Sequence, residues 1–171
     1  PAPLIDLPVS KWDKLLNVNT RATLLLAQAA YPALKESKGA LVAVASMSGM
    51  GAHPGMGAYS PSKAALISLC QVLAQEWACD GINVNTVSPG MIRTPLTQKV
   101  YENNQIAEER AALVPWGRVG NPEDISNVIS FLLSPEANYI TGQNILVDGG
   151  FVDSLYRHIP GLPDSSEIDK T

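Results

Sequence analysis

Six apolar residues, Ala40-Leu41-Val42-Ala43-Val44-Ala45, run without a polar break and open directly into Ser46-Met47-Ser48-Gly49. A short, partly β-branched run of this kind predicts a buried strand ending in a polar loop. From Tyr59 the period changes. Leu66, Leu69, Leu73 and Trp77 recur at helical spacing, and Asp80-Gly81 stops the pattern before a second β-branched run at 82–87. Strand, helix and strand in that order form a β-α-β unit. Its right-handed crossover sets the two strands parallel and puts the helix on the same face as its predecessor.

The flanking segments extend the pattern. Ser10-Lys11-Trp12-Asp13 predicts a helix start, with Ser10 as cap and Asp13 reaching back. In the helix predicted over 20–35, Leu24, Leu25, Leu26, Ala27, Ala29 and Ala30 leave little polar face, so cover is expected on more than one side, by the sheet and by a second subunit. Pro32 has no amide to donate and is expected to bend or end this helix. Asn121 caps a third long helix, with Pro122 at its first position and Glu123 and Asp124 in its first turn; Ile125, Val128, Ile129, Leu132 and Leu133 form its buried stripe. A last strand is predicted at 144–148 and ends at Gly149-Gly150. The reading is an α/β chain with a three-stranded parallel core, forming one domain over 1–150 and a tail over 151–171 that is draped on a neighbour or mobile. Residues 95–116, with Leu96, Val100, Tyr101 and Trp116 among polar residues, suit a lid or a plain surface helix.

Composition narrows the partners. A chain of 171 residues that is 46% hydrophobic can bury a sizeable core. Its formal charge of −4 offers no broad electropositive surface for nucleic acid. No apolar run approaches the ~18 residues that cross a bilayer, and no basic-plus-apolar leader is seen. Cys70 and Cys79, on one predicted helix, would lie ~13 Å apart along its axis, beyond the ~7 Å a disulfide spans, so two reduced thiols in a cytoplasmic protein are expected.

The candidate chemistry lies in Tyr59-Ser60-Pro61-Ser62-Lys63. Four positions apart on a helix, a phenol and an ammonium share a face, and a cation fixed beside a phenol favours the phenolate, which suits proton exchange with an alcohol or carbonyl. In open parallel sheets ligands sit beyond the carboxyl ends of strands, so a serine closing the first strand can face the same crevice. Ser46 is one candidate for that hydrogen bond, and Ser48 is a competitor or a turn residue beside Gly49. Gly49, Gly51, Gly55 and Gly57 lack a phosphate-binding spacing and read as a flexible loop. His53 lies in that loop, lining a pocket or simply solvated, and neither it nor His158 belongs to a metal-ligand spacing.

Together these residues resemble the C-terminal part of a short-chain dehydrogenase/reductase. Ser46, Tyr59 and Lys63 occupy that family's serine and Tyr-x-x-x-Lys places, Asn19 in Asn17-Val18-Asn19-Thr20 occupies the place of its catalytic asparagine, and both intervals are similar to the family's. The match selects Ser46 over Ser48. Asn83 to Gly90, followed by Met91-Ile92-Arg93-Thr94, resembles the family's strand and Pro-Gly turn, and Gly117-Arg118 through Asp148-Gly149-Gly150 resembles its closing helix and strand. The likeness covers residues 9–150.

The resemblance implies a partial Rossmann-like, doubly wound parallel sheet and a hydride transfer between NAD or NADP and a secondary alcohol or ketone. It implies Tyr59 as proton donor or acceptor, Lys63 acting on the phenol and on the nicotinamide ribose, Ser46 polarising the substrate oxygen, and Asn19 positioning a water. Pro89, Gly90, Ile92 and Thr94, with Tyr59 and Lys63, are the implied cofactor contacts, and a homo-oligomer, tetramer or dimer, is the implied assembly. The family's opening glycine-rich turn is missing, so the chain reads as a C-terminal fragment whose first strand has an open edge that invites pairing with another chain. A catalytically silent assembly module is the alternative.

Overall fold

The computed structural model describes residues 2–160. Its main elements are α1 (Val9–Leu16), a π-turn (Asn17–Arg21), α2 (Ala22–Ser37), β1 (Ala40–Val44), α3 (Tyr59–Trp77), β2 (Asn83–Pro89), α4 (Gln98–Tyr101), α5 (Asn104–Leu113), α6 (Pro122–Leu132) and β3 (Asn144–Val147). The three strands form one parallel sheet in the order β1-β2-β3. Ala40 stands opposite Asn83, Val44 opposite Val87 and Pro89 opposite Val147.

Alternation along the strands divides the core in two. On one face Ala43, Ala45, Ile82 and Val84 pack against Ala27 of α2 and Leu66, Cys70, Leu73, Ala74 and Trp77 of α3. On the other, Val42, Val87, Ile145 and Val147 pack against Ile125, Val128, Ile129 and Leu132 of α6. Helices therefore cover both faces, with α2 and α3 together on one of them. Buried polar groups fix the β2–β3 register. Asn85, 1% exposed, donates to the Ile140 carbonyl at 2.7 Å and accepts from the Gln143 amide at 2.9 Å.

Several expectations need correction. α1 begins one residue earlier than Ser10, with Pro8 at its N-cap and no side-chain cap bond. α2 runs through Pro32 to Ser37 without ending. The carbonyl that Pro32 cannot serve belongs to exposed Gln28, and Tyr31 and Leu34 anchor the helix on either side. Leu133 follows the last turn of α6 and is 51% exposed, outside the buried stripe. Gly49 is a close-approach residue, because a Cβ there would sit 2.8 Å from the Lys63 carbonyl carbon. α2 is covered on one side in this chain, leaving Leu25 54% and Leu26 71% exposed.

Residues 95–116 hold α4 and α5, packed through Tyr101 and Val114, with Leu96 and Trp116 exposed. Both cysteines are free, Cys70 buried and Cys79 exposed. Among the described residues no helix is long and apolar enough to cross a membrane. Of the tail predicted over 151–171, residues 151–160 include a 3-10 turn, Leu155–His158, and residues 161–171 lie outside the described residues.

Candidate active site

β1 ends at Val44, whose carbonyl on the open edge accepts a hydrogen bond from the Lys63 ammonium at 2.9 Å. Lys63 sits one turn after Tyr59 in α3, and its Nζ lies 5.9 Å from the centre of the Tyr59 ring. Burial holds this ammonium below the usual lysine range. Among the described residues the ion pairs are Lys35–Asp80 and Arg118–Asp124, so Lys63 is half-buried without an acidic neighbour to compensate it.

Two residues past Val44 the backbone of Ser46 is extended, and the residue is 9% exposed. The Ser46 Oγ accepts from the Ser48 amide at 3.1 Å, which occupies a lone pair and leaves the hydroxyl hydrogen for another acceptor. Ser48 is directed elsewhere, since its own hydroxyl meets His53 Nδ1 at 3.1 Å.

Asn19 lies in the π-turn between α1 and α2, a widened helical turn of the sort frequent at functional positions. Its amide nitrogen donates to the Ser62 hydroxyl at 2.9 Å, and Ser62 donates in turn to the Tyr59 carbonyl at 2.7 Å. Thr20 donates to the Ser62 carbonyl at 2.9 Å. The fully buried Ser62 thus ties the turn carrying Asn19 to the helix carrying Tyr59 and Lys63. Asn19 and Lys63 also line one groove of about 330 Å³, with Val18, Leu26, Val42 and Val44.

The other candidates follow β2. Pro89 closes the strand, and Gly90 donates to the Val147 carbonyl at 2.9 Å. A Cβ on Gly90 would fall 2.7 Å from the Cα of Asp148, so this approach requires glycine. Ile92 forms an isolated parallel bridge with Gly120, whose bonds use the Met91 carbonyl and the Arg93 amide. The amide and carbonyl of Ile92 consequently face the opposite side. Thr97 Oγ1 donates to the Ile92 carbonyl at 2.9 Å, accepts from the Thr94 amide at 2.9 Å and lies 3.2 Å from Thr94 Oγ1.

Sequence reasoning missed Ser62 and Thr97. Ser62 lies inside the Tyr-x-x-x-Lys motif, and its position one turn after Tyr59 on the buried face was the available signal. Thr97 follows Thr94 by three positions at the N-cap of α4, the spacing at which a hydroxyl reaches a preceding backbone group.

Comparison with known proteins places this arrangement. Residues 1–152 match the family described as Enoyl-(Acyl carrier protein) reductase. Bovine dehydrogenase/reductase SDR family member 4 is 39% identical over 153 residues, covering 89% of this chain and 55% of that protein. The 3-oxoacyl-(acyl-carrier-protein) reductase FabG of Thermotoga maritima is 39% identical over 150 residues, covering 87% and 60%. Among solved structures, 4-hydroxyisoleucine dehydrogenase complexed with NADH superposes with a TM-score of 0.83 at 36% identity, covering 89% of this chain and 63% of that one. A putative 2-deoxy-d-gluconate 3-dehydrogenase from Agrobacterium tumefaciens with bound NADP gives 0.82 at 31% identity. The chain spans 55% and 60% of the two curated relatives named here. With sequence and fold matching over nearly nine-tenths of its length, the chain belongs to the short-chain dehydrogenase/reductase family.

Proposed function

We propose that this chain carries the proton-transfer half of an oxidoreductase that moves a hydride between a nicotinamide cofactor, NAD or NADP, and a secondary alcohol or ketone. The observation that carries the reading is Lys63, a half-buried ammonium without an acidic partner among the described residues, held at a strand end within 5.9 Å of the Tyr59 ring. Burial of an uncompensated cation costs stability, and such groups concentrate at functional sites.

Tyr59 gives a proton to, or takes one from, the substrate oxygen. Lys63 stabilises negative charge on the phenol, and Ser46, with its lone pair already engaged by Ser48, directs its hydrogen to the same substrate oxygen. Asn19 fixes the turn beside Lys63 through Ser62 and leaves its amide oxygen to hold a water.

The residues after β2 fit a nicotinamide. The Ile92 amide has no protein partner among the described residues and the Thr94 hydroxyl is held by Thr97, which suits a donor and a hydroxyl meeting a carboxamide; Pro89 and Gly90 form the close backbone wall. When bound, the nicotinamide supplies the hydride or accepts it.

A silent assembly module is favoured by a different observation, the one-sided pairing of β1 and the exposure of Val18, Leu26 and Val44 beside it. Under either reading homo-oligomerisation through α2 and α3 is proposed, supported by the exposure of Leu25 and Val72. Tyr59→Phe in the complete polypeptide separates the two. A loss of turnover of about a hundredfold or more is expected, and full turnover in the variant would overturn the assignment.

A further inference from the structure

The loop between Ser46 and Tyr59 contains a bridge that neither the motif nor the mechanism above uses. His53 Nδ1 lies 3.1 Å from the hydroxyl of Ser48. The backbone amide of the same histidine donates to the hydroxyl of Ser60 at 3.2 Å. Ser48 is the residue whose amide occupies the lone pair of Ser46, and Ser60 is bonded in sequence to Tyr59. One residue thus touches the neighbours of both reacting groups, through its ring on one side and its backbone on the other.

The surroundings give this bridge weight. Four glycines, at 49, 51, 55 and 57, loosen the backbone of the loop, Gly55 and Gly57 both taking positive φ, 77° and 58°, and outside contacts hold it at Met50, through Asn144, and at Met56, through Ala2. Gly49 is pinned against Lys63, which fixes the start of the loop, and Tyr59 opens α3, which fixes its end. Between them, among the described residues, the His53 amide makes the side-chain hydrogen bond that joins the loop to α3, and the His53 ring bonds back to Ser48 at the start of the loop. The ring nitrogen serves Ser48 either as donor or as acceptor, according to tautomer. Ser48 is 6% exposed, so a partner lost there leaves a buried hydroxyl to reorient, and the 46–48 turn is what aims the Ser46 hydroxyl.

We propose that His53 is a positioning residue for the hydride-transfer reaction. By joining Ser48 to Ser60, it holds the Ser46 hydroxyl in a fixed setting relative to the Tyr59 phenol. The inference rests on the dehydrogenase reading for its kinetic consequence and on the hydrogen bonds alone for its structural one. His53 touches neither substrate oxygen nor cofactor in this role. Asparagine keeps a polar atom near the place of Nδ1, whereas alanine does not, so the two substitutions distinguish the bond from the bulk of the ring.

The test pairs steady-state kinetics on the complete polypeptide with NMR on the same protein. His53→Ala is expected to lower kcat about tenfold with KM changed less than about twofold, because misorientation acts on the reacting geometry. His53→Asn is expected to recover kcat to within about twofold of wild type. An unchanged kcat in His53→Ala overturns the proposal, and so does a raised KM at constant kcat, which would make His53 a substrate contact in the cavity of about 400 Å³ that it lines with Ser48 and Ser60. By NMR, Ser48→Ala is expected to shift the His53 Nδ1 resonance, and Ser60→Ala to speed exchange of the His53 amide about tenfold. Should neither change, the bridge does not exist in solution, whatever the turnover. Failure of Tyr59→Phe to reduce activity would remove the dehydrogenase reading and leave the NMR result standing.

Discussion

The Lys63 ammonium caps the carbonyl of Val44, nineteen positions earlier, at 2.9 Å. The contact spends a half-buried charge on a backbone group at an exposed strand end, where water can serve as well. Lys63→Met is therefore expected to fold with a urea midpoint at or above that of wild type while turnover falls about a hundredfold. Burial lowers the Lys63 pKa, so the unfolded chain binds more protons than the folded one between the lowered value and the ordinary ~10.4. Wild-type stability then gains on the Met variant as pH rises through that window. A variant that is both less stable and fully active would contradict the functional reading of this lysine.

Much of this was legible in the sequence because a period survives small errors in boundary. The stripe Leu66, Leu73 and Trp77 placed α3 on the sheet face where Ala43 and Val84 wait for it, and the run over 40–45 became β1 with one residue fewer at its end. The features that escaped depend on single residues. A π-turn shifts the helical register once between α1 and α2, and no window average registers it. Ser62 and Thr97 act through one hydroxyl each, decided by which element lies opposite, and that is tertiary information. Pro32 misled because the rule concerns an unserved carbonyl, and Gln28, which carries it, is exposed.

Two carboxylates outside the site are each held by a cationic partner. Asp80 pairs with Lys35 at 2.6 Å and accepts from the Tyr31 hydroxyl, joining α2 to the end of α3. Asp124 accepts from Arg118 at 2.7 and 2.8 Å and from the Asn121 amide at 2.7 Å. Both carboxyls are held below the ordinary range, Asp80 first by the Lys35 hydrogen bond and Asp124 first by Arg118. Their contribution is present above the ordinary ~3.9 and is lost as pH falls through the lowered values. The double variant Asp80→Asn, Asp124→Asn should have the lower urea midpoint at about pH 6, and the gap from wild type should narrow steadily below about pH 4. A gap as wide at the acid end would assign the effect to shape rather than charge.

The two thiols should differ sharply in reactivity. Burial pushes the Cys70 thiol up to about 11, and the residue is 1% exposed beneath α2 and β1. Cys79 is exposed in the short turn that follows α3. A disulfide-exchange reagent at about pH 8 should therefore titrate one thiol promptly and the second about a hundredfold more slowly, at the rate of opening of the core. Cys79→Ser should abolish the fast phase alone. Equal rates for both thiols in the folded protein would mean that α3 is not packed as described.

Gly90 joins fold and site at one atom. A methyl group there would lie 2.5 Å from the Cβ and 2.7 Å from the Cα of Asp148, so main chain has to move. The Asp148 side cannot yield readily, because its carboxylate accepts from the amides of Gly150 at 2.9 Å and Val152 at 2.7 Å. The shift must fall on the segment from Pro89 to Ile92, whose outward amide is the proposed carboxamide contact. Gly90→Ala should destabilise the fold by ~1–3 kcal/mol and weaken nucleotide binding about tenfold or more. Gly51 provides the control, since a Cβ there meets only the Met47 carbonyl at 4.0 Å. Gly51→Ala should change stability by less than about 0.5 kcal/mol, and nucleotide affinity not at all. If Gly90→Ala lost stability yet bound nucleotide with wild-type affinity, the Pro89 to Ile92 segment would be a structural turn and the cofactor contact would have to be sought elsewhere.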